Sequence, residues 1–314
     1  MIDRQLAWSD ARLQTLMQRF VPCADEVTHL QRAQTTAAKL FQSFCEEGHY
    51  GGRTKPTPTR QGIYAVTPSG KLLGSWNSRN VEYVALQMTA ALAAWDALDD
   101  AQRYPRARLT SGPRAEDHYP EDGLVLQVFT RDIGRSAGDG GDWRQAAWNL
   151  DHLWLSDSEA RALAEGALPE AAAQRLVRLH GRDNVRGQTP HFPREGVTSA
   201  TLSVSGSLRD GSIQHLILTG EGQASTTGKW STGKASAGEV ERTRSFGGSM
   251  YGKATWNGER FTAFELAWTG LRSGATKYNQ RGDDQAPAPM AVVFQLASPN
   301  DRVAPSRFWD YGWR

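Results

Sequence analysis

Residues Ala254–Trp268, with the sequence ATWNGERFTAFELAW, decide the fold of the second half of this chain. Asn257-Gly258 lies between two apolar and aromatic runs, and this dipeptide in such a place is a strong signal for a β-hairpin. In the second run, Phe264, Leu266 and Trp268 alternate with other residues and would share one face of a strand. The stretch therefore predicts two antiparallel strands with one buried face.

The period-two pattern continues on both sides of this hairpin. Leu202–Val204 and His215–Leu218 alternate before it, and Met290–Leu296 after it is an apolar run typical of a buried strand. The residues 222–248 are rich in Gly, Ser and Thr and fit either a long loop or a hairpin. Residues 197–297 therefore predict an antiparallel sheet folded as a β-sandwich or a partial barrel.

Helical spacing dominates the part of the chain before this sheet. Residues 81–98 carry one apolar stripe behind Asn80, which is a good helix cap. Ser156 with Glu159 is a capping-box signal for another helix. The predicted elements are helices at 10–20, 33–47, 81–98, 156–165 and 169–180, and strands at 20–24, 62–66, 71–76 and 124–129.

The length of 314 residues predicts two domains in an α+β protein. Residues 1–98 form the predicted N-terminal α/β domain, and the polar, Pro- and Arg-rich residues 99–122 fit a linker. Residues 123–195 are expected to add a strand and a helical insert, and residues 196–314 the β-rich domain. Its aromatic end, Phe308–Trp313, is expected to be a docked tail or a partner-binding strand.

Composition and charge exclude several classes of protein. The chain has 36 Lys and Arg against 34 Asp and Glu, and no basic stripe favours nucleic acid as a partner. It contains no run of about 18 apolar residues, so no membrane span is expected. The start has no apolar signal core, which favours the cytoplasm, although a removed signal would leave the same start. The expected partner is a small molecule or a protein, and the sequence implies no particular cofactor.

Three stretches near the N-terminus resemble the later part of a thioredoxin fold. Arg19–Pro22 resembles the strand after the active-site helix, Pro58–Tyr64 the segment around the cis-proline, and Thr67–Leu73 the P-x-G-K hairpin. The whole chain further resembles a group of uncharacterised bacterial thioredoxin-like two-domain proteins, many from planctomycetes. The stretches that carry this second likeness are Thr59–Tyr64, Asp183–Gly187 and Pro287–Ala297.

The cysteines depart from the thioredoxin pattern. Cys23 and Cys45 are the only two, and they do not form Cys-x-x-Cys. A dithiol cycle needs an attacking thiolate and a nearby resolving thiol, and this spacing supplies neither. The resemblance therefore implies a thioredoxin-like fold over residues 1–98 without the exchange activity. The spacing leaves open whether the two cysteines are bridged.

The first candidate site is Cys45 with His49. If the helix continues to residue 49, the two side chains share a face at i, i+4, which suits two metal ligands or a thiolate–imidazole pair. The alternative is a helix end with a core cysteine and a capping histidine. In the loop that follows, Arg53 and Arg60 are candidates to bind an anion, with Tyr50 and Gln61 beside them. The alternative there is an exposed structural loop.

The second candidate site is the polar run after the last predicted helix. Asp183 and Arg186 would provide a base and an anion clamp, His191 a proton carrier, and Asn184 a further ligand contact. The alternative is a hydrogen-bonded connector. The neighbouring pair Asp151-His152 carries little expectation, since adjacent residues on a helix point apart.

Three functions follow from these residues. The preferred hypothesis is a binding or accessory module that contacts its ligand or partner through residues 45–62 and 183–191. The competing hypotheses are a single-cysteine thiol redox enzyme, with His49 favouring the Cys45 thiolate, and a metal-binding protein that uses the same two side chains.

Overall fold

A computed structural model describes most of the chain, which divides into two compact units, Ile2–Asp117 and His118–Arg314. We call these the N-terminal unit and the C-terminal unit. The boundary falls inside the predicted linker, and residues 123–195 lie in the same unit as residues 196–314. Within the described ranges, no helix is both long and apolar enough to span a membrane. These ranges are 7–8, 10–23, 27–51, 60–78, 80–104, 120, 122–134, 143–232, 238–299 and 303–311.

The N-terminal unit, as far as it is described, consists of helices and one β-hairpin. The Asn80 side chain accepts a hydrogen bond from the Tyr83 amide, so it caps the helix as predicted. The predicted hairpin and the predicted helices at 33–47 and 81–98 are confirmed, with shifts of a few residues at their ends. The elements are α1 (Ala11–Met17), α2 (Val27–Leu30), α3 (Thr36–Glu47), β1 (Ile63–Val66), β2 (Leu72–Trp76), α4 (Val81–Asp96) and α5 (Asp100–Arg103).

A thioredoxin-like frame is not confirmed for this unit. Among its described residues, β1 and β2 are the only strands, and they pair with each other. Residues 21–23, predicted to lie in a strand, are not part of one. Val21 is exposed, so this stretch does not bury an apolar face. Pro22 lacks an amide hydrogen, so it cannot donate a hydrogen bond to a neighbouring strand. The core of the unit instead packs Val84 and Met88 of α4 with Trp76 of β2.

The C-terminal unit is built on one seven-stranded antiparallel sheet with the strand order β4-β3-β9-β8-β7-β6-β5. The Asn257-Gly258 hairpin is confirmed, and Gly258 has the positive φ of +96° that favours glycine. Phe264, Leu266 and Trp268 are buried together, as their alternation predicted. The strands are β3 (Leu124–Asp132), β4 (Trp148–Leu155), β5 (Val197–Asp210), β6 (Ile213–Trp230), β7 (Val240–Trp256), β8 (Phe261–Ser273) and β9 (Ala288–Leu296).

Helices, and not a second sheet, cover the buried face of this sheet. The capping box of Ser156 with Glu159 opens α7 (Asp157–Glu165), as predicted, and α8 (Glu170–His180) follows. Helix α8 contacts β4, β5 and β6, and β4 and β5 are the two edge strands, so the sheet curves around the helix. This corrects the β-sandwich expectation. A short helix α6 (Trp143–Ala146) precedes β4, and 3-10 helices lie at Arg194–Gly196 and Phe308–Tyr311.

Two stretches form strands that their local sequence pattern does not clearly indicate. Asp151 and His152, expected on a helix, lie in β4, in which residues 151–155 are all buried and no alternation shows. Residues 222–230 and 240–248 belong to the paired strands β6 and β7, so the hairpin alternative is the one that forms. Glycine is needed in this region because a Cβ on Gly222 would lie 2.5 Å from the fully buried indole of Trp268.

Candidate functional site

The first predicted site lies where the end of α3 meets the start of β1. The Tyr50 hydroxyl donates to the Gln61 carbonyl oxygen at 2.8 Å, and His49 Nε2 lies 3.4 Å from the same oxygen. Cys45 Sγ lies 4.0 Å from the Arg60 carbonyl oxygen. The structure thus brings together all the candidates of this region except Arg53, which lies outside the described residues. Their partners in these contacts are the backbone carbonyl oxygens just before β1, so the contacts hold the start of β1 against the end of α3.

The i, i+4 relation between Cys45 and His49 does not form. Helix α3 ends at Glu47 with Gly48 as its cap, so His49 is beyond the helix, where its amide donates to Ser75 Oγ at 2.8 Å. Burial raises the pKa of the Cys45 thiol, which is the opposite of what a nucleophilic thiolate requires. Cys45 is buried, Cys23 is exposed, and both are free, so they are not bridged. Among the described residues, no group of three or more His, Cys, Asp or Glu is placed to hold a metal ion.

Arg60 is engaged within the N-terminal unit. Its Nε and Nη2 donate to Glu46 Oε1 at 3.2 and 3.1 Å, and its Nη1 donates to the Gln31 carbonyl oxygen at 3.1 Å. These bonds use the guanidinium group to join two helical segments. The predicted role of Arg60 as an exposed anion ligand is therefore not supported by its contacts.

The second predicted site lies at one end of the curved sheet, which we call the charged end. Residues 182–186 follow α8 and are all buried, and the hydrogen bonds within this run fit the connector alternative. Asn184 holds the shape of this turn, since its Oδ1 accepts from the Thr189 amide at 2.9 Å. Three strands place buried charged side chains at the same end, Asp132 on β3, Arg244 on β7 and Arg272 on β8, while Asp151 lies midway along β4, opposite Val128.

One part of the charged end is a set of ion pairs centred on Arg281, whose side chain is fully buried. Arg281 Nη1 and Nη2 donate to the two Asp132 oxygens at 2.7 and 2.8 Å. Its Nε and Nη2 donate to the two Asp183 oxygens at 2.7 and 3.0 Å. Both pairs are bidentate, which is the strong geometry for a guanidinium and a carboxylate. We call the whole set the inner ion network; its members are Asp132, Asp183, Arg186, Arg272, Arg281 and Asp284.

The charges of the inner ion network balance. Arg186 Nη1 lies 3.0 Å from Asp284 Oδ2, and Arg272 Nη2 donates to the same oxygen at 2.8 Å. Three arginines thus face three aspartates. Burial by itself would raise the pKa of Asp132, but the hydrogen bonds from Arg281 and the nearby arginine charges lower it below its usual value. Asp183 and Arg186, predicted as a base and an anion clamp, are held in ion pairs of this network, so their contacts do not support those two roles.

The C-terminal segment, residues 303–311, docks along β4 and the end of α8, beside the charged end. Trp154 Nε1 donates to the Val303 carbonyl oxygen at 3.0 Å. Asp151 accepts from the amide and the hydroxyl of Ser306 at 2.8 and 2.7 Å. His180 Nε2 lies 3.0 Å from the Tyr311 hydroxyl oxygen. Of the two expectations for the aromatic end, the docked tail is therefore the one that this segment follows.

A second group of charged side chains surrounds this docked segment, and we call it the outer cluster; its members are Arg178, Arg182, His191, Arg244 and Asp310. Arg178 Nη2 donates to Asp310 Oδ1 at 3.0 Å, and His191 Nδ1 lies 3.7 Å from Asp310 Oδ2. Arg182 Nη2 donates to the neighbouring Asp151 at 3.3 Å. Burial lowers the pKa of His191, against the opposing effect of Asp310. His191 was predicted as a proton carrier, and it lies here with none of the other predicted catalytic groups.

Arg244 differs from every other buried arginine of the charged end. It is 6% exposed, and among the described residues it forms no ion pair. Its Nη2 donates to the His191 carbonyl oxygen at 3.0 Å, and its guanidinium lies 4.5 Å from the Phe192 ring centre. Its Nη1 is buried without a hydrogen-bond partner. Burial, with a smaller effect from the Arg182 charge, lowers the pKa of Arg244 to about 10. Arg244 was not identified from the sequence. Its one signal there is the spacing of two residues from Phe246, which places both side chains on the same buried face of β7.

The opposite end of the sheet carries a groove of about 660 Å³ lined by Arg161, Gln214 and Trp256 among others. Arg161 is already paired with Asp157 at 2.8 Å, and Trp256 is only 6% exposed. The charged side chains that line this groove, Arg161, Glu165 and Arg209, are all exposed, so none of them is a buried charge.

Known proteins give no template for either group of charges. Comparison with protein-family models, curated proteins and solved structures finds no match for this chain. The contacts of the charged end are therefore the basis for assigning it a role.

Proposed function

We propose that the protein is a ligand-binding module, and that its C-terminal unit binds an anion at the outer cluster. The observation that carries this proposal is the buried guanidinium of Arg244, which forms no ion pair in the described part of the chain and whose Nη1 lacks a hydrogen-bond acceptor. The proposal retains the binding-module hypothesis from the sequence and moves its site to the charged end.

The energetic cost of this arrangement supports the binding of an anion at Arg244. A buried polar group without a hydrogen bond costs about 1–3 kcal/mol, and a buried charge without a counter-charge costs more. A bound anion would remove both costs at Arg244, because it supplies an acceptor for Nη1 and a negative charge for the guanidinium.

The surroundings of Arg244 also favour an anion. Arg182 lies close enough for its charge to lower the pKa of Arg244, and Arg182 Nε is itself buried without a hydrogen-bond partner. Arg178, Arg182, Arg244 and the nearby Arg307 are positively charged, against two negative charges on Asp151 and Asp310. The outer cluster therefore has a surplus of positive charge, whereas the inner ion network is balanced.

The proposal is tested by thermal unfolding of the full-length chain with sulfate, phosphate or acetate at constant ionic strength. A ligand that binds only the folded state stabilises it by about 2.7 kcal/mol at a hundred times its Kd. We expect at least one of these anions to raise the Tm of the wild-type protein.

The matched variants are Arg244→Met and Arg209→Met. Arg209 is an exposed arginine at the opposite end of the same sheet, so its replacement changes the net charge equally. We expect the anion effect to be lost in R244M and kept in R209M. An anion effect of the same size in R244M, or none in the wild-type protein, would contradict the proposal.

A further inference from the structure

We infer that the anionic group bound at the outer cluster is a carboxylate, and that the side chain of Asp310 competes with it. This inference rests on the proposed anion-binding function and adds the ligand class and an internal competitor. A carboxylate of a small free acid and the C-terminal carboxylate of a peptide share the required chemistry.

Asp310 already places a carboxylate in the outer cluster. Its Oδ1 accepts from Arg178 Nη2 at 3.0 Å, and its Oδ2 lies 3.7 Å from His191 Nδ1. Asp310 lies in the 3-10 helix Phe308–Tyr311, so it reaches this position from the docked C-terminal segment. The cluster therefore has a geometry in which an arginine and a histidine hold a planar, singly charged group.

Asp310 leaves Arg244 without a counter-charge. His191 lies between the two, since its carbonyl oxygen accepts from Arg244 Nη2 at 3.0 Å while its ring faces the Asp310 carboxylate. Arg244 and Asp310 form no ion pair. A ligand carboxylate that satisfies Arg244 would thus lie within the same cluster as Asp310, and two like charges in one cluster repel each other.

The charges of the cluster favour a carboxylate over phosphate. Asp151 and Asp310 remain close to the cationic groups, so a bound anion meets two like charges. A carboxylate brings one negative charge, while phosphate at neutral pH brings more and meets stronger repulsion from both aspartates. A planar carboxylate also matches the fork of a guanidinium group.

The competition concerns the Asp310 side chain and not the whole C-terminal segment. Val303, Ser306 and Tyr311 bind Trp154, Asp151 and His180 through contacts that do not involve Asp310. Removing the charge of Asp310 therefore leaves three anchors of the segment in place. The variant Asp310→Asn is for this reason a test of competition rather than of docking.

The test measures the Kd of acetate and of inorganic phosphate by calorimetry at pH 7 and constant ionic strength, with the full-length chain. We expect Asp310→Asn to lower the Kd of acetate by about fivefold or more, because a like charge is removed from the partly buried site. Asp310→Glu keeps the charge and should bind acetate as the wild type does. Asp283→Asn removes an exposed carboxylate that pairs with Arg144 outside the cluster, and it should also leave the Kd unchanged.

The source of the carboxylate is distinguished by a Gly-Gly dipeptide with an acetylated N-terminus, compared with its C-terminal amide. Tighter binding of the free-acid dipeptide than of acetate indicates a peptide terminus, and binding no tighter than acetate indicates a small acid. The amide form should not bind in either case.

The outcomes separate this inference from the proposed function. If neither acetate, phosphate nor sulfate binds the wild-type or the D310N protein, the proposed anion site itself is wrong. If phosphate binds and R244M abolishes that binding, but acetate does not bind, the anion site stands and the carboxylate assignment is wrong. If acetate binds with the same Kd in D310N and wild type, the competition by Asp310 is wrong.

Discussion

The inner ion network and the outer cluster lie at the same end of one sheet and differ in charge balance. In the network, Arg281 donates to both oxygens of Asp132 and of Asp183, and three arginines face three aspartates. In the outer cluster, Arg244 is equally removed from water but has a carbonyl oxygen and an aromatic ring as its neighbours. The same residue type is therefore used in two ways within one unit.

This difference indicates which buried charges have a structural role. A buried ion pair is strongly destabilised when one partner is removed, because the other charge remains uncompensated. A buried arginine without a carboxylate leaves no such charge behind when it is replaced. A high density of buried charges therefore does not by itself indicate a ligand site, whereas an imbalance of buried charges does.

The largest expected effect tests this contrast directly with Arg281→Met and Arg244→Met. We expect R281M to lower the free energy of unfolding by roughly 3–5 kcal/mol, since Asp132 and Asp183 lose their main counter-charge. We expect R244M without ligand to change it by less than about 1 kcal/mol or to increase it, since the apolar side chain removes an unpaired buried charge. Chemical denaturation of the full-length variants measures both.

Arg281→Lys is the control for the network, because a lysine keeps the charge and loses the bidentate geometry. It should fall between R281M and the wild type. A loss in R244M as large as the loss in R281M would show that Arg244 has a structural counter-charge, and the contrast between the two regions would fail.

The second expected effect is a dependence of stability on pH through His180, which lies beside the outer cluster. His180 is buried, with its Nδ1 3.8 Å from Asp151 Oδ2, and burial lowers its pKa to about 4. In the unfolded chain the pKa of histidine is about 6.5. Between these two values the unfolded state binds more protons, so stability rises with pH. The contribution is fully present above about pH 6.5 and is lost as the pH falls towards 4, and it is on the order of 2–3 kcal/mol.

Unfolding by denaturant at several pH values between 4 and 7 measures this slope. His180→Gln should flatten it, since glutamine does not titrate. The pKa of His191 is also lowered by burial, so His191→Gln is the control that removes the outer-cluster contribution of the same sign. An unchanged slope in H180Q would show that His180 is not the group responsible.

The parts of the fold that were predictable depend on local signals. The Asn257-Gly258 turn and the Ser156–Glu159 capping box are each contained within a few residues, and both form as predicted. Strand β4 was missed because burial of residues 151–155 hides the alternation that marks a strand. The Cys45–His49 pair does not form for a local reason too, because α3 ends at Glu47, two residues before His49.

The location of the charged end was predictable from the sequence, but the pairing of its charged side chains was not. The polar density of residues 183–191 pointed to the right segment, and the structure puts it beside buried charges of three strands. The partners of those charges are far away in sequence: Asp132 and Arg281 are 149 residues apart. No local pattern distinguishes Arg281, which has three carboxylate partners, from Arg244, which has none among the described residues. That distinction exists only once the strands are in register.

The smallest expected effect is that of Asp310→Asn on stability without ligand. The Asp310 side chain is 24% exposed and Arg178 is 14% exposed, so water can solvate both when the charge is removed. Val303, Ser306 and Tyr311 still hold the segment, and partly exposed ion pairs contribute less than about 1 kcal/mol. We therefore expect D310N to lower the free energy of unfolding by at most about 1 kcal/mol, measured beside Asp132→Asn, which should cost at least about twice as much. An equal loss in both variants would mean that the outer cluster is as closed as the inner ion network, because Asp310 would then be a structural counter-charge and not a competitor.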